Sequence, residues 1–246
     1  MGKVADRRDA LAERPRGAPH ATGRASLGAL LYLALGPAAL FLSAGTWRWT
    51  MGWVFVALVL VLTVGSRVFV WRRNPDLLRE RGRYGEARDT APWDRCLMPL
   101  VALVGPTAVS IVAGLHHRFD WPGSVPVAVQ ALAAMALAMA YGLSAWAMVA
   151  NPFFSAVVRI QGERTHAVVA GGPYRWVRHP AYLGACGGIL AAPLMLAAPW
   201  ALVPALLTVG ATVARTALED RFLCAHLPGY ARYARETRYR LLPGVW

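Results

Sequence analysis

Long apolar runs alternate with short polar ones along most of the chain. Six runs, at roughly 26–45, 51–70, 97–115, 125–150, 182–198 and 200–218, approach the ~20 residues that carry a helix across ~30 Å of hydrocarbon. The last two are shorter and are joined only by Pro199, so the pattern predicts a tight helical hairpin. The fold expected is all-α: a polytopic membrane bundle of about six transmembrane helices, closed by a C-terminal interfacial helix. Prolines inside runs, such as Pro106 and Pro204, are tolerable where neighbouring helices satisfy the freed carbonyls.

The polar stretches add a direction. Residues 1–25 hold six basic and three acidic groups with hardly any bulky apolar side chain, and read as a disordered basic cytosolic tail. Among the loops, 24 of the 26 basic residues fall on one side and Arg48 and Arg118 alone on the other, a strong positive-inside signal that puts both termini in the cytosol. Tryptophans such as Trp47, Trp53, Trp71 and Trp121 cluster near run ends, as interfacial anchors do. The excess of basic over acidic residues could suit nucleic acid, but no stretch joins a basic patch to a soluble reading fold, so headgroups are the expected partner. The alanine- and arginine-rich composition points to a GC-rich, bacterial source and a plasma-membrane location. Cys96, Cys186 and Cys224 form no C-x-x-C pair and are expected to be small buried hydrophobes; no metal site is expected.

The chemistry concentrates late. The stretch GGPYRWVRHPAYLG, residues 171–184, sets Arg175, Arg178 and His179 before an apolar run, and its prolines and glycines forbid one continuous helix through it. Non-helical backbone at that depth is acceptable against protein or a cavity. Because the predicted hairpin turns back on itself, His179 to Tyr182 must lie near Arg215 to Glu219. Arg215 and Glu219, four apart, share a helix face, where an intrahelical ion pair would satisfy both. A bound cation would serve Glu219 equally, since a carboxylate at the end of an apolar run is costly without a partner. Gly184 and Gly188 form G-x-x-x-G, a helix-packing device.

The string THAVVAGGPYRWVRHPAYLG, followed after the hairpin by ARTALED and by LPGYARYARETRYRLLPG, resembles the isoprenylcysteine carboxyl methyltransferase family and its bacterial relatives, including membrane phospholipid methyltransferases. The resemblance covers residues 151–246 and divides the chain into the tail, a four-helix region at 26–150 on the substrate side, and a cofactor-binding core at 151–246. It implies an integral membrane methyltransferase that binds S-adenosylmethionine at the cytosolic side and takes a lipophilic substrate from the bilayer. By similarity Gln161, His166, Ala167, Val168, Val169, Tyr174, His179, Pro180, Ala181, Tyr182 and Glu219 contact the cofactor. Arg215 stands on the substrate side and is, with Arg178, a catalytic candidate. The family often has two glutamates where this chain has Glu219-Asp220. Residue types agree with that ligand: Glu219 suits its cationic groups, while Arg178, His179 and freed amides suit its carboxylate.

A carboxylate acceptor, as in an isoprenylcysteine-like or isoprenoid acid, needs no general base, whereas an amine needs one, with His166, His179 or Asp220 as candidates. A lipid-amine methyltransferase, a reductase resembling the NADPH-dependent sterol reductases, and a non-enzymatic scaffold are the alternatives. Glu219 disfavours a strongly anionic nicotinamide cofactor. On the stretch 230–240, Tyr230, Tyr233, Ala234 and Thr237 share one helical face, fit for the interface or for covering the cofactor.

Overall fold

The computed structural model describes residues 19–77 and 90–246; residues 1–18 of the predicted tail and 78–89 of the arginine-rich loop lie outside the described residues. Each of the six apolar runs becomes helical: α1 Pro19–Ala44, α2 Thr50–Arg73, α3 Asp94–Phe119, α4 Val127–Ala150, α5 Pro180–Met195 and α6 Leu202–His226, followed by a short α7, Tyr230–Glu236. No strand occurs among the described residues. The described part of α1 already covers residues 19–25, which the sequence pattern assigned to the tail.

Among the described residues, four helices are long and apolar enough to cross a membrane: α2, α3, α4 and the stretch Pro199–His226 that contains α6. Leu33–Ala44 of α1 and Pro180–Met195 are shorter apolar helices. At 1.5 Å per residue α5 spans about 24 Å, less than the ~30 Å hydrocarbon core. Its ends are set locally, by Pro180 at the first position and by Ala197, which turns the chain with φ 54° before Pro199. Bilayer-spanning helices need no polar face, and α2 illustrates this with Leu60, Val61, Val64 and Phe69 all exposed. Midway along α3, Leu100–Val104 forms a wide π turn just before Pro106, which lacks the N–H that an α-helical bond would use.

The 16-residue α5 is sandwiched between α4 and α6, and its more extensive packing is with α4. Gly184 makes that approach possible: a Cβ there would lie 2.6 Å from the Ala140 carbonyl oxygen and 3.3 Å from the Ser144 amide. Gly184→Val is expected to destabilise the protein by about 1–3 kcal/mol through overpacking, read as a lower thermal midpoint in detergent. Of the cysteines, Cys186 is buried on α5, but Cys96 and Cys224 are exposed, contrary to the expectation of burial. Both lie near the polar end of the bundle, Cys96 in the first turn of α3 and Cys224 in the last turn of α6.

The loops sort to two ends. At one, Trp49 stacks on His117 at 4.2 Å and Trp200 Nε1 donates to the Pro122 carbonyl at 3.0 Å. At the other, 91–94, 151–179 and 220–246 meet. The described loops at this end are ones that the arginine count places on one side.

Candidate active site

The polar end is built from the loop between α4 and α5. Asn151 ends α4, and its Oδ1 accepts from the Phe153 amide at 2.9 Å, turning the chain back. Gln161 is fully buried and ties the loop together: Nε2 donates to the Phe153 carbonyl at 2.6 Å, Oε1 accepts from Arg164 Nη1 at 2.9 Å, and its amide donates to His166 Nδ1 at 3.4 Å. A 3₁₀ turn, Gly172–Arg175, follows. Gly172 takes φ +59°, a left-handed conformation that favours glycine, and a Cβ there would lie 3.1 Å from the Ala150 side chain and 3.4 Å from Trp146 Nε1. Pro180 then opens α5.

The loop, α5 and α6 enclose a cavity of about 90 Å³. His166, Ala167, Val168, Val169, Tyr174, Arg178, His179, Ala181, Tyr182 and Glu219 all line it. Three predicted residues do not. Gln161 is spent inside the loop, Pro180 is buried in the first turn of α5, and Arg215 lies behind Tyr182. Phe153, Phe154, Arg159, Leu223 and Leu227 line the cavity without having been singled out in the sequence. The asparagine and paired phenylalanines of 151–154 were the available signal, as a polar turn with bulky aromatics just beyond a span.

The adjacent acids divide. Glu219 is half-buried and accepts a hydrogen bond from the Tyr182 hydroxyl at 2.5 Å, and among the described residues no basic group lies within ion-pairing distance of it. Asp220 turns the other way and is 3% exposed. Its carboxylate takes a two-pronged pair from Arg178, with Nε to Oδ1 at 2.7 Å and Nη2 to Oδ2 at 2.9 Å, a bond from Arg240 Nε at 2.8 Å and one from the Tyr230 hydroxyl at 3.1 Å.

Arg178 also points Nη1 at the carbonyls of Ala234, Thr237 and Arg238, between 2.8 and 3.1 Å, and so caps the end of α7. The amides of Arg178 and His179 donate to the carbonyls of Tyr239 and Arg240, both at 2.9 Å. These amides are therefore not free for an anion, as the broken backbone had suggested: the C-terminal segment uses them. That segment also stops α7 at Glu236, short of the 230–240 face read from the sequence. Tyr230 and Tyr233 face inward over the cavity, Tyr233 donating to the Tyr174 carbonyl at 2.6 Å, while Arg232 is exposed.

The intrahelical Arg215–Glu219 pair does not form. Arg215 instead gives Nε and Nη2 to Asp94, at 2.6 and 3.0 Å, a further Nη2 bond to the Ala156 carbonyl at 3.2 Å, and Nη1 to the Tyr182 hydroxyl at 2.6 Å. Asp94, which the sequence reading passed over, is fully buried.

Burial raises the phenol pKa of Tyr174 and Tyr230 well above the usual range and pushes Tyr233 up to about 12, so these remain neutral hydroxyls at physiological pH. Burial lowers the pKa of His166, with Arg159 and Arg164 adding to the effect, and the ring is neutral at pH 7. The wall around Glu219 is thus largely aromatic and apolar, with its two arginines committed elsewhere, Arg178 to Asp220 and Arg159 to Glu163. Phe153 and His166, with ring centroids 4.8 Å apart and planes tilted by 32°, add two aromatic faces to the same cavity.

Residues 128–227 match the model of the phospholipid methyltransferase family, a stretch that contains Glu219, all of α5 and α6, and α4 except its first residue. The cobalt-zinc-cadmium resistance protein CzcN of Cupriavidus metallidurans is 40% identical over 81 residues, which cover 32% of this chain. The match spans 37% of the length of that curated relative. The membrane methyltransferase family recognised in the sequence is thus the one whose model matches.

Proposed function

We propose that the chain, on the strength of its match to the phospholipid methyltransferase family, is an integral membrane S-adenosylmethionine-dependent methyltransferase with a lipophilic substrate and a carboxylate oxygen as the favoured acceptor. The observation that carries this reading is Glu219: a carboxylate at the end of a membrane-length helix, facing a cavity, with a tyrosine hydroxyl against it and, among the described residues, no cation. An ionised group in that position is costly unless a ligand completes it. The donor set fits the cofactor, whose sulfonium and ammonium are cationic and whose adenine suits the aromatic wall of Phe153, His166 and Tyr174.

S-adenosylmethionine, when bound, supplies a methyl group activated by its positive sulfur. The protein's part is to bind and orient. Glu219 holds the cationic portion and Tyr182 fixes the carboxylate's rotation. The apolar walls from Phe154, Leu223 and Leu227 exclude water, and positioning of this kind accounts for ~7–11 kcal/mol in well-oriented displacements. The tyrosines stay protonated and provide no phenolate base. A cavity of about 90 Å³ is below the ~300–1,000 Å³ of small-molecule pockets, so cofactor entry moves a wall. The segment 162–170, with Gly162, Glu163, Thr165 and Ala167 exposed, is the less anchored one.

A lipid amine is the second reading, favoured by the name of the matched family. Membranes from cells expressing the chain, incubated with cofactor carrying a labelled methyl group, separate the two by mass spectrometry of the lipid extract. Label as a methyl ester supports the carboxylate, and label on a headgroup nitrogen supports the amine. Label confined to water-soluble products would overturn the lipophilic substrate.

A further inference from the structure

We propose that Asp94 is the positioning residue of this site: it holds Arg215 away from Glu219 and thereby leaves the Glu219 carboxylate for a cationic ligand. The inference rests on the reading of Glu219 above and adds a residue from outside the region that matches the family model.

Arg215 and Glu219 lie four residues apart on α6, the spacing at which side chains meet on one helix face. A guanidinium without a better partner would close on Glu219 and cancel its charge. Asp94, at the first turn of α3, is the better partner. Its Oδ1 accepts from Arg215 Nε at 2.6 Å and its Oδ2 from Nη2 at 3.0 Å, a fork-to-fork geometry that fixes the rotation of the guanidinium. Asp94 is anchored in turn. Oδ2 also accepts from the Val158 amide at 2.8 Å, the Asp94 amide donates to the Ala91 carbonyl at 2.9 Å, and the Ala91 amide donates to the Val158 carbonyl at 2.9 Å. The start of α3 is therefore stitched to the cavity wall at Val157 and Val158.

The direction of the remaining bonds follows. With Nε and Nη2 engaged, Arg215 Nη1 reaches the Tyr182 oxygen at 2.6 Å. Arginine donates and never accepts, so Tyr182 is the acceptor there and its own proton turns to Glu219 Oε2 at 2.5 Å. Glu219 is met by a neutral donor where it would otherwise meet a cation. Asp94 and Arg215 cancel each other, and the charge left on the cavity side is that of Glu219.

The test titrates the full-length protein in detergent with S-adenosylmethionine and with its neutral thioether counterpart, S-adenosylhomocysteine. Three forms are compared: wild type, Asp94→Asn, and Asp94→Asn with Arg215→Gln. Asp94→Asn is expected to lower S-adenosylmethionine affinity about tenfold and thioether affinity less than about threefold, because the released Arg215 pairs with Glu219. The double variant, with no arginine to capture Glu219, is expected to regain S-adenosylmethionine affinity to within about fivefold of wild type. Wild-type affinity in Asp94→Asn would overturn the proposal. So would an equal loss of both ligands that the double variant fails to restore, since a merely structural Asp94 gives that result. Should Asp94→Asn not accumulate, the double variant decides, because it buries no unpaired charge: retained preference for the sulfonium supports the proposal, and its loss overturns it. A wild-type protein that binds neither ligand would instead overturn the cofactor reading on which the proposal rests.

Discussion

Glu219→Gln is expected to lower S-adenosylmethionine affinity about 100-fold while leaving S-adenosylhomocysteine within about threefold. The substitution keeps the size of the side chain and leaves an oxygen to accept from Tyr182, so it removes charge and little else. Its effect is large because nothing in the site shares the work: the other carboxylates nearby, Asp94 and Asp220, are each neutralised by arginine at 2.6–2.8 Å. The surrounding wall of buried tyrosines and apolar side chains lowers the local dielectric, where a charge-assisted contact is worth more than at an open surface. Isothermal titration calorimetry on the purified protein measures both ligands. Arg118→Ala, at the opposite end of the bundle, is the control and should change neither. Equal affinity of Glu219→Gln and wild type for the sulfonium would remove the basis of the proposed function.

How far the sequence reached depends on separation along the chain. The spans were legible because each is a local property of some 20 residues. The Arg-His-Pro elbow was legible for a similar reason: Pro180 starts α5 wherever the rest of the chain goes, and His179 and Tyr182 are then carried to the cavity. Helical periodicity also placed Arg215 and Glu219 on one face of α6, which they occupy. Periodicity predicts adjacency but not choice of partner. Arg215 selects Asp94, 121 residues away, and no local rule links an aspartate at the foot of α3 to an arginine on α6. Pairing across that distance exists because the bundle brings two helix ends together. Gln161 has the same lesson in reverse: a polar residue near a motif reads as a ligand contact, but the Phe153 carbonyl eight residues earlier claimed its amide group.

The acid pair shows most plainly why neighbours in sequence part in function. Successive helix positions are rotated by about 100°, so Glu219 and Asp220 cannot face the same surroundings. Glu219 faces the cavity, and Asp220 faces the segment that covers it. Asp220→Ala is accordingly expected to cost about 3–5 kcal/mol of stability, the range for breaking a buried ion pair by removing one partner. The substitution strands Arg178, itself 7% exposed, and releases Arg240 and the Tyr230 hydroxyl together. Arg178 also holds the carbonyls at the end of α7, so the loss should propagate to the cover, exposing the bonds after Arg232, Arg235 and Arg238 to trypsin. Thermal unfolding in detergent reports the global cost, and time-resolved trypsin digestion with mass spectrometry reports the local one. Replacing both partners, Asp220→Leu with Arg178→Met, should be less destabilising than Asp220→Ala alone, because the penalty lies in the stranded charge more than in the lost pair. If Asp220→Ala digests and melts like wild type, the C-terminal cover is held by its apolar contacts through Tyr230, Tyr233 and Leu227, and the arginine-aspartate latch contributes nothing measurable.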